Sequence, residues 1–100
     1  MTKEHKEIIY KNRQALIDNM EPDNVIKLLR GWNVLSSDIV SMISANTSLE
    51  EQVKCLLDKL SKRPDTAFDA LIKALEETDQ EHLSELLKGC SGTLVLIIFN

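Results

Sequence analysis

The stretch that decides the fold spans residues 47–60 and reads TSLEEQVKCLLDKL. Its apolar residues recur three or four positions apart and are Leu49, Val53, Leu56, Leu57 and Leu60. This spacing places them on one face of an α-helix. Thr47 and Glu50 have the spacing of a capping box, which satisfies free backbone N–H groups at a helix start. The stretch therefore predicts an amphipathic helix with one buried face.

The same period recurs on both sides of this helix and predicts further helices. Ahead of it the apolar groups are Ile8, Ile9, Leu16, Ile17 and Met20; Val25, Ile26, Leu28 and Leu29; and Ile39, Val40, Met42 and Ile43. After it they are Phe68, Leu71, Ile72 and Leu75, then Leu83, Leu86 and Leu87. Together these groups predict six helices.

Turn-forming residues separate the first three predicted helices. Pro22 suits the first turn of the second helix, where its missing N–H costs nothing. Gly31 is expected to end that helix in a left-handed conformation. Ser36 and Ser37 are the candidate N-caps of the third helix.

Similar signals delimit the last two helices. Pro64 breaks the chain after the fourth helix, because the residue before a proline avoids the helical region. Thr78 and Glu81 again have capping-box spacing, and they predict the start of a sixth helix that ends before Gly89. The predicted fold is all-α, a six-helix antiparallel bundle over residues 1–89.

Residues 90–100 form an apolar tail, which we expect to lie outside this domain. Leu94 to Phe99 is an unbroken apolar run without helical period, and it is far too short to span a membrane. The alternative is that this run packs on the bundle or on a partner.

Composition restricts the class of protein further. Of the 100 residues 43% are hydrophobic and 28% charged, which is typical of a globular domain. A net charge of −4 argues against nonspecific nucleic-acid binding. Because the two cysteines are too few for a disulfide framework, we expect a reduced, cytoplasmic location.

The sequence contains no pattern typical of catalysis. It lacks a glycine-rich phosphate loop, a zinc-binding His-Glu-x-x-His pair and a nucleophile elbow. His5 and His82 are far apart, and Cys55 and Cys90 lack metal-ligand spacing. We therefore predict no catalytic residue, metal or cofactor. A small helical enzyme or ligand carrier is an alternative class that would need a polar-lined pocket.

Residues 63–71, RPDTAFDAL, resemble the signature run of caspase-recruitment domains (CARDs). Residues 74–83, ALEETDQEHL, are similar to the corner between the last two helices of initiator-caspase prodomains of the caspase-2 and caspase-9 type. Lys11-Asn12-Arg13 followed by Leu16 resembles the first helix of that subgroup. The likeness covers roughly residues 4–88.

This resemblance implies a death-fold bundle that acts by binding another CARD-containing protein or another copy of itself. Its implied function is to recruit or assemble an initiator caspase with a scaffold or adaptor in apoptotic or inflammatory signalling. A stand-alone CARD that blocks or bridges such recruitment is the alternative. Neither reading requires membrane or nucleic acid.

The resemblance also implies a docking mode between oppositely charged helix faces. A basic face would include Arg13 with Lys11 on the first helix and Lys54 on the fourth. An acidic face would lie on the second and third helices, where only Asp23 and Asp38 are available. Glu50 departs from the caspase-9 pattern, which has a basic residue there, and so weakens the basic face.

Two further features bear on binding. Residues 65–88 carry a net charge of −5, so the acidity is concentrated in the last two helices, where it is a solvated surface or a complement for the basic face. Trp32 follows Gly31 at a predicted helix corner. It is either a buried plug of the loop or an exposed interface anchor, since tryptophan is enriched in binding hot spots.

Overall fold

The computed structural model describes residues 1–88, in which it contains helices and turns and no strand. The helices are α1 Lys3–Lys11, α2 Arg13–Asn19, α3 Pro22–Gly31, α4 Ser37–Ser44, α5 Leu49–Ser61, α6 Thr66–Glu77 and α7 over residues 81–88. The all-α prediction is confirmed. Gly89 and the predicted tail, residues 90–100, lie outside the described residues, so the domain boundary stays a prediction.

Six helices were predicted, and the additional one arises because the first is divided at Asn12. The backbone N–H of Asn12 is shared between the carbonyl oxygens of Ile8 and Ile9, each at 3.2 Å. The side-chain Nδ2 of Asn12 also donates to the Ile8 oxygen, at 2.9 Å. A side chain that competes for a backbone carbonyl interrupts the regular helical ladder. Helices α1 and α2 are therefore one bent element of the predicted bundle.

Helix α5 lies at the centre of the bundle, where it packs against α2, α3, α4 and α6. Its Val53, Leu56, Leu57 and Leu60 are at most 1% exposed. Burying one such side chain contributes roughly 1.5–3 kcal/mol. Leu49 was assigned to the same stripe, but it is the first residue of the helix and is 55% exposed. The stretch that decides the fold thus supplies the centre of the core.

Two helix starts agree with the sequence and one is shifted by a residue. Pro22 is the first residue of α3, and Ser36 is the N-cap of α4. The prediction that Thr47 caps α5 is wrong. Ser48 has the extended backbone of an N-cap, and its Oγ accepts from the N–H of Glu51 at 3.1 Å. The hydroxyl groups of Thr47 and Ser48 are both suitable for capping, and it is Ser48 that has the backbone conformation of an N-cap.

The prediction that Gly31 ends α3 in a left-handed conformation is also wrong. Gly31 is the last helical residue, and the left-handed residue is Asn33, with a φ of 62°. The N–H of Val34 donates to the Leu29 oxygen at 2.8 Å, and that of Asn33 to the Arg30 oxygen at 3.0 Å. This pair of bonds defines a Schellman motif, which satisfies the last carbonyl groups of the helix.

Thr78 likewise has a different role from the predicted N-cap. It is the C-cap of α6, and its hydroxyl donates to the Ala74 oxygen at 2.8 Å. Asp79 is left-handed, with a φ of 61°, and the N–H of Gln80 donates to the Leu75 oxygen at 2.8 Å. A second Schellman motif therefore forms the corner before α7.

Candidate docking surface

Arg13 and Lys54 lie on one surface, because α2 packs against α5. They line the same shallow groove as Lys59 of α5 and Lys62, the C-cap of that helix. We define the α2–α5 basic face by Arg13, Lys54, Lys59 and Lys62. Two of the residues that the sequence singles out are thus brought together by the fold.

Acidic side chains of the same groove partly neutralise this face. Arg13 Nη1 lies 3.4 Å from Asp58 Oδ1, and Lys54 Nζ lies 3.3 Å from Glu51 Oε1. All four side chains are at least partly exposed to solvent. Exposed pairs of this kind contribute only about 0–1 kcal/mol each, so a partner's carboxylates can replace them at little cost.

Lys11 does not line this groove. It ends α1, where its positive charge lies beside the carbonyl end of the helix. A second groove beside the basic face is lined by Lys3, Lys6, Tyr10 and Arg13. Tyr10 is 78% exposed, and sequence reasoning missed it. The signal was its position directly after the buried pair Ile8–Ile9, which turns it to the solvent face of α1.

The structure does not bring Asp23 and Asp38 together. Asp23 lies in the first turn of α3 and Asp38 in the first turn of α4. Arg30 Nη2 donates to Ser37 Oγ at 2.9 Å, which places the start of α4 beside the end of α3. Asp23 is seven residues before Arg30, or about 10 Å along the helix. The two aspartates are therefore separate charges, and they form no common acidic face.

Trp32 is the C-cap of α3 and is 37% exposed. Lys73 Nζ lies 5.5 Å from the centroid of its ring, so a cation–π contact joins the end of α3 to α6. Such a contact contributes about 0.5–1 kcal/mol at an exposed site. Trp32 is thus only partly buried, and it belongs to the α3–α6 contact.

Outside the basic face, two carboxylates join distant segments of the bundle. Asp65 accepts from the Thr2 N–H at 3.0 Å and lies 2.5 Å from His5 Nδ1. The bond from Thr2, and then that from His5, holds the pKa of Asp65 below its ordinary value of 3.8. Glu76 pairs with Lys88, and this contact raises the lysine pKa. These pairs stabilise helix ends.

Residues 1–88 contain neither a cluster of metal ligands nor a membrane-spanning helix. Within that range no three His, Cys, Asp or Glu side chains come together as metal ligands. No helix there has the length and apolarity needed to cross a membrane. Cys55, a residue of the α2–α5 groove, is a half-buried thiol, and Cys90 lies outside the described residues.

The antiparallel helices around a central α5, with a charged groove on the outside, define a death-fold interaction bundle. The caspase recruitment domain model matches residues 6–89, so the chain belongs to the CARD family. Members of this family are protein-interaction modules that bind other death-fold proteins.

Two curated relatives are similar to nearly the whole chain. Caspase-2 of Gallus gallus is 31% identical over 94 residues, which are 94% of this chain and 22% of the relative. Cell death protein 3 of Caenorhabditis remanei is 21% identical over 97 residues, which are 97% of this chain and 19% of the relative. The chain thus spans about a fifth of the length of these relatives.

Proposed function

We propose that this domain binds another CARD through the α2–α5 basic face and thereby recruits or assembles an initiator caspase with its scaffold or adaptor. The observation that carries the proposal is the shared groove of Arg13 and Lys54. The two residues are far apart in sequence, and the packing of α2 on α5 unites them. A caspase-2 and a cell death protein among the relatives support a role in cell-death or inflammatory signalling.

Charge provides the driving force for this docking. The groove is lined by four basic and two acidic side chains, so it carries a net charge of +2. An acidic face on the partner would be steered towards it and held in register. Partner carboxylates would then replace Asp58 and Glu51 as the neighbours of Arg13 and Lys54.

The proposed role is recruitment without catalysis by this domain. Docking would raise the effective concentration of attached protease domains, so that contacts of modest affinity suffice for their mutual activation. This role requires no cofactor and no metal, and it fits a cytoplasmic setting. The partner is another CARD-containing protein.

The test is binding of the 100-residue chain to a panel of purified CARDs from caspases and adaptors. Wild type should bind at least one panel member, and Arg13→Glu should weaken that complex about tenfold or more. Lys73→Glu makes the same change in charge on α6 and should bind as wild type does. Equal binding by wild type and Arg13→Glu would contradict the proposed face. Failure to bind any panel member would contradict the recruitment role.

A further inference from the structure

A third groove lies between α3 and α4, and the charged side chains that line it are all basic. Lys27 and Arg30 are its charged residues, and no acidic side chain lines it. The rest of the lining consists of the hydroxyl groups of Ser36, Ser37 and Ser41, the apolar side chains of Ile26, Leu35 and Val40, and Gly31 and Asn33. This α3–α4 groove occupies the helices on which the family resemblance implies an acidic face.

The basic groups of this groove are available for binding. Within the described part of the chain, neither Lys27 nor Arg30 forms an ion pair, in contrast to Arg13 and Lys54. The bond from Arg30 to Ser37 holds the guanidinium beside the start of α4. A groove whose two basic side chains form no ion pair, and whose Arg30 is held in place, favours an acidic protein surface.

The same chain carries a matching acidic surface at the corner between α6 and α7. We define the α6–α7 acidic surface by four exposed side chains, Glu77, Asp79, Glu81 and Glu85. Of the other acids in residues 65–88, Asp65 contacts His5 and Glu76 contacts Lys88, while Asp69 lies in the first turn of α6, away from this corner. The complement to the groove is therefore present on every copy of the molecule.

These two surfaces lie at opposite ends of α3. Gln80 Oε1 accepts from the Glu21 N–H at 2.7 Å, which fixes the α6–α7 corner at the start of α3. The contact between Arg30 and Ser37 fixes the α3–α4 groove at its other end. The domain therefore has a positive and a negative end along this helix, and copies that stack head to tail bring opposite charges together.

We infer that the α3–α4 groove binds the α6–α7 acidic surface of a second copy of this chain. The inference rests on the proposed function only in that the domain acts by docking onto its own fold, and it uses a different face. Because the two contacting patches differ, each added copy exposes a fresh groove and a fresh acidic end. Such a heterologous contact extends into an open chain or closes into a ring.

The test is sedimentation velocity of the 100-residue chain without partner, over a range of protein concentrations and at low and high salt. Wild type should self-associate at low salt and dissociate at high salt, because exposed charge pairs are screened. Lys27→Glu/Arg30→Glu and, separately, Glu77→Lys/Glu81→Lys should each weaken association about tenfold or more. Lys3→Glu/Lys6→Glu on α1 changes the charge by as much as the groove variant does and should associate as wild type does.

Mixing the two double variants gives the decisive result. One then has an acidic groove and the other a basic corner, so alternating copies should restore association. A wild type that stays monomeric, double variants that associate as wild type does, or a mixture that is not restored would each overturn the inference. Because no partner CARD is present, this result is independent of the binding test for the α2–α5 basic face.

Discussion

His5 in the first turn of α1 contacts Asp65, the N-cap of α6, with His5 Nδ1 2.5 Å from Asp65 Oδ1. The imidazole ring also stacks on Phe68, with centroids 4.0 Å apart and planes within 5°. The N-terminal amine donates to the Arg63 oxygen in the same region. The start of α1 is thus attached to the start of α6 by side chains 60 residues apart.

Asp65→Asn should lower stability at neutral pH and lose this effect in acid. The folded state holds the pKa of Asp65 below 3.8, so ionised Asp65 stabilises the fold above that pH. The stabilisation is lost as the pH falls through the lowered pKa of Asp65. His5 is the ionisable side chain that Asp65 contacts. Melting temperatures of both proteins across this range provide the measurement. A difference that persists unchanged at the lowest pH would contradict the assignment.

Gly31→Ala should stabilise the domain by roughly 0.5–1 kcal/mol, because alanine has the higher helix propensity. Gly31 is helical, and a Cβ placed there meets nothing within 4 Å. Asn33→Ala is the matched control, and it should destabilise by about 1 kcal/mol because Asn33 is left-handed. Urea unfolding distinguishes them. If Gly31→Ala destabilised the domain and Asn33→Ala did not, Gly31 would be the left-handed residue instead.

Gln80→Glu should cost about 1–3 kcal/mol. Gln80 is 5% exposed, and its Nε2 donates to the Glu21 oxygen at 3.0 Å and to Thr78 Oγ1 at 2.9 Å. A carboxylate cannot donate these bonds and would be buried beside a carbonyl oxygen. Gln52→Glu makes the same change at a half-buried side chain and should cost less. Equal losses in urea unfolding would exclude a special role for Gln80.

Trp32→Ala should lower the melting temperature and leave CARD binding intact. Trp32 is 37% exposed, and its contact with Lys73 joins α3 to α6. Truncation therefore removes packing between these helices. Melting and binding are measured on the same sample, below the melting transition of the variant. Lost binding with unchanged melting would make Trp32 an interface anchor instead.

The spacing of the apolar residues was sufficient to predict the helices, because apolar residues three or four positions apart indicate one buried face of an α-helix. It predicted the buried stripe of α5 and the start of α3 at Pro22. The helix ends were less predictable where neighbouring residues suit the same role. Thr47 and Ser48 both have a hydroxyl group for capping, and Gly31 and Asn33 both tolerate a left-handed backbone. The backbone conformation decides such cases, through bonds such as those from Glu51 to Ser48 and from Val34 to Leu29, and residue type alone does not determine it.

The surfaces depend more strongly on how the helices pack. The resemblance to CARDs placed Arg13 and Lys54 on one face, and the packing of α2 on α5 brings them together. The basic groove of Lys27 and Arg30 was not predicted, because it depends on the place where α4 meets α3. Neither Lys27 nor Arg30 was assigned to a surface from the sequence.

The most direct test of the central claim is to map the bound CARD on this domain by NMR chemical shifts. The partner identified from the panel is titrated into the ¹⁵N-labelled 100-residue chain, below the concentration of self-association. We predict that the largest shifts fall on Arg13 and on the Lys54–Lys62 segment of the α2–α5 basic face. Shifts confined to the α3–α4 groove or to the α6–α7 acidic surface would contradict the account.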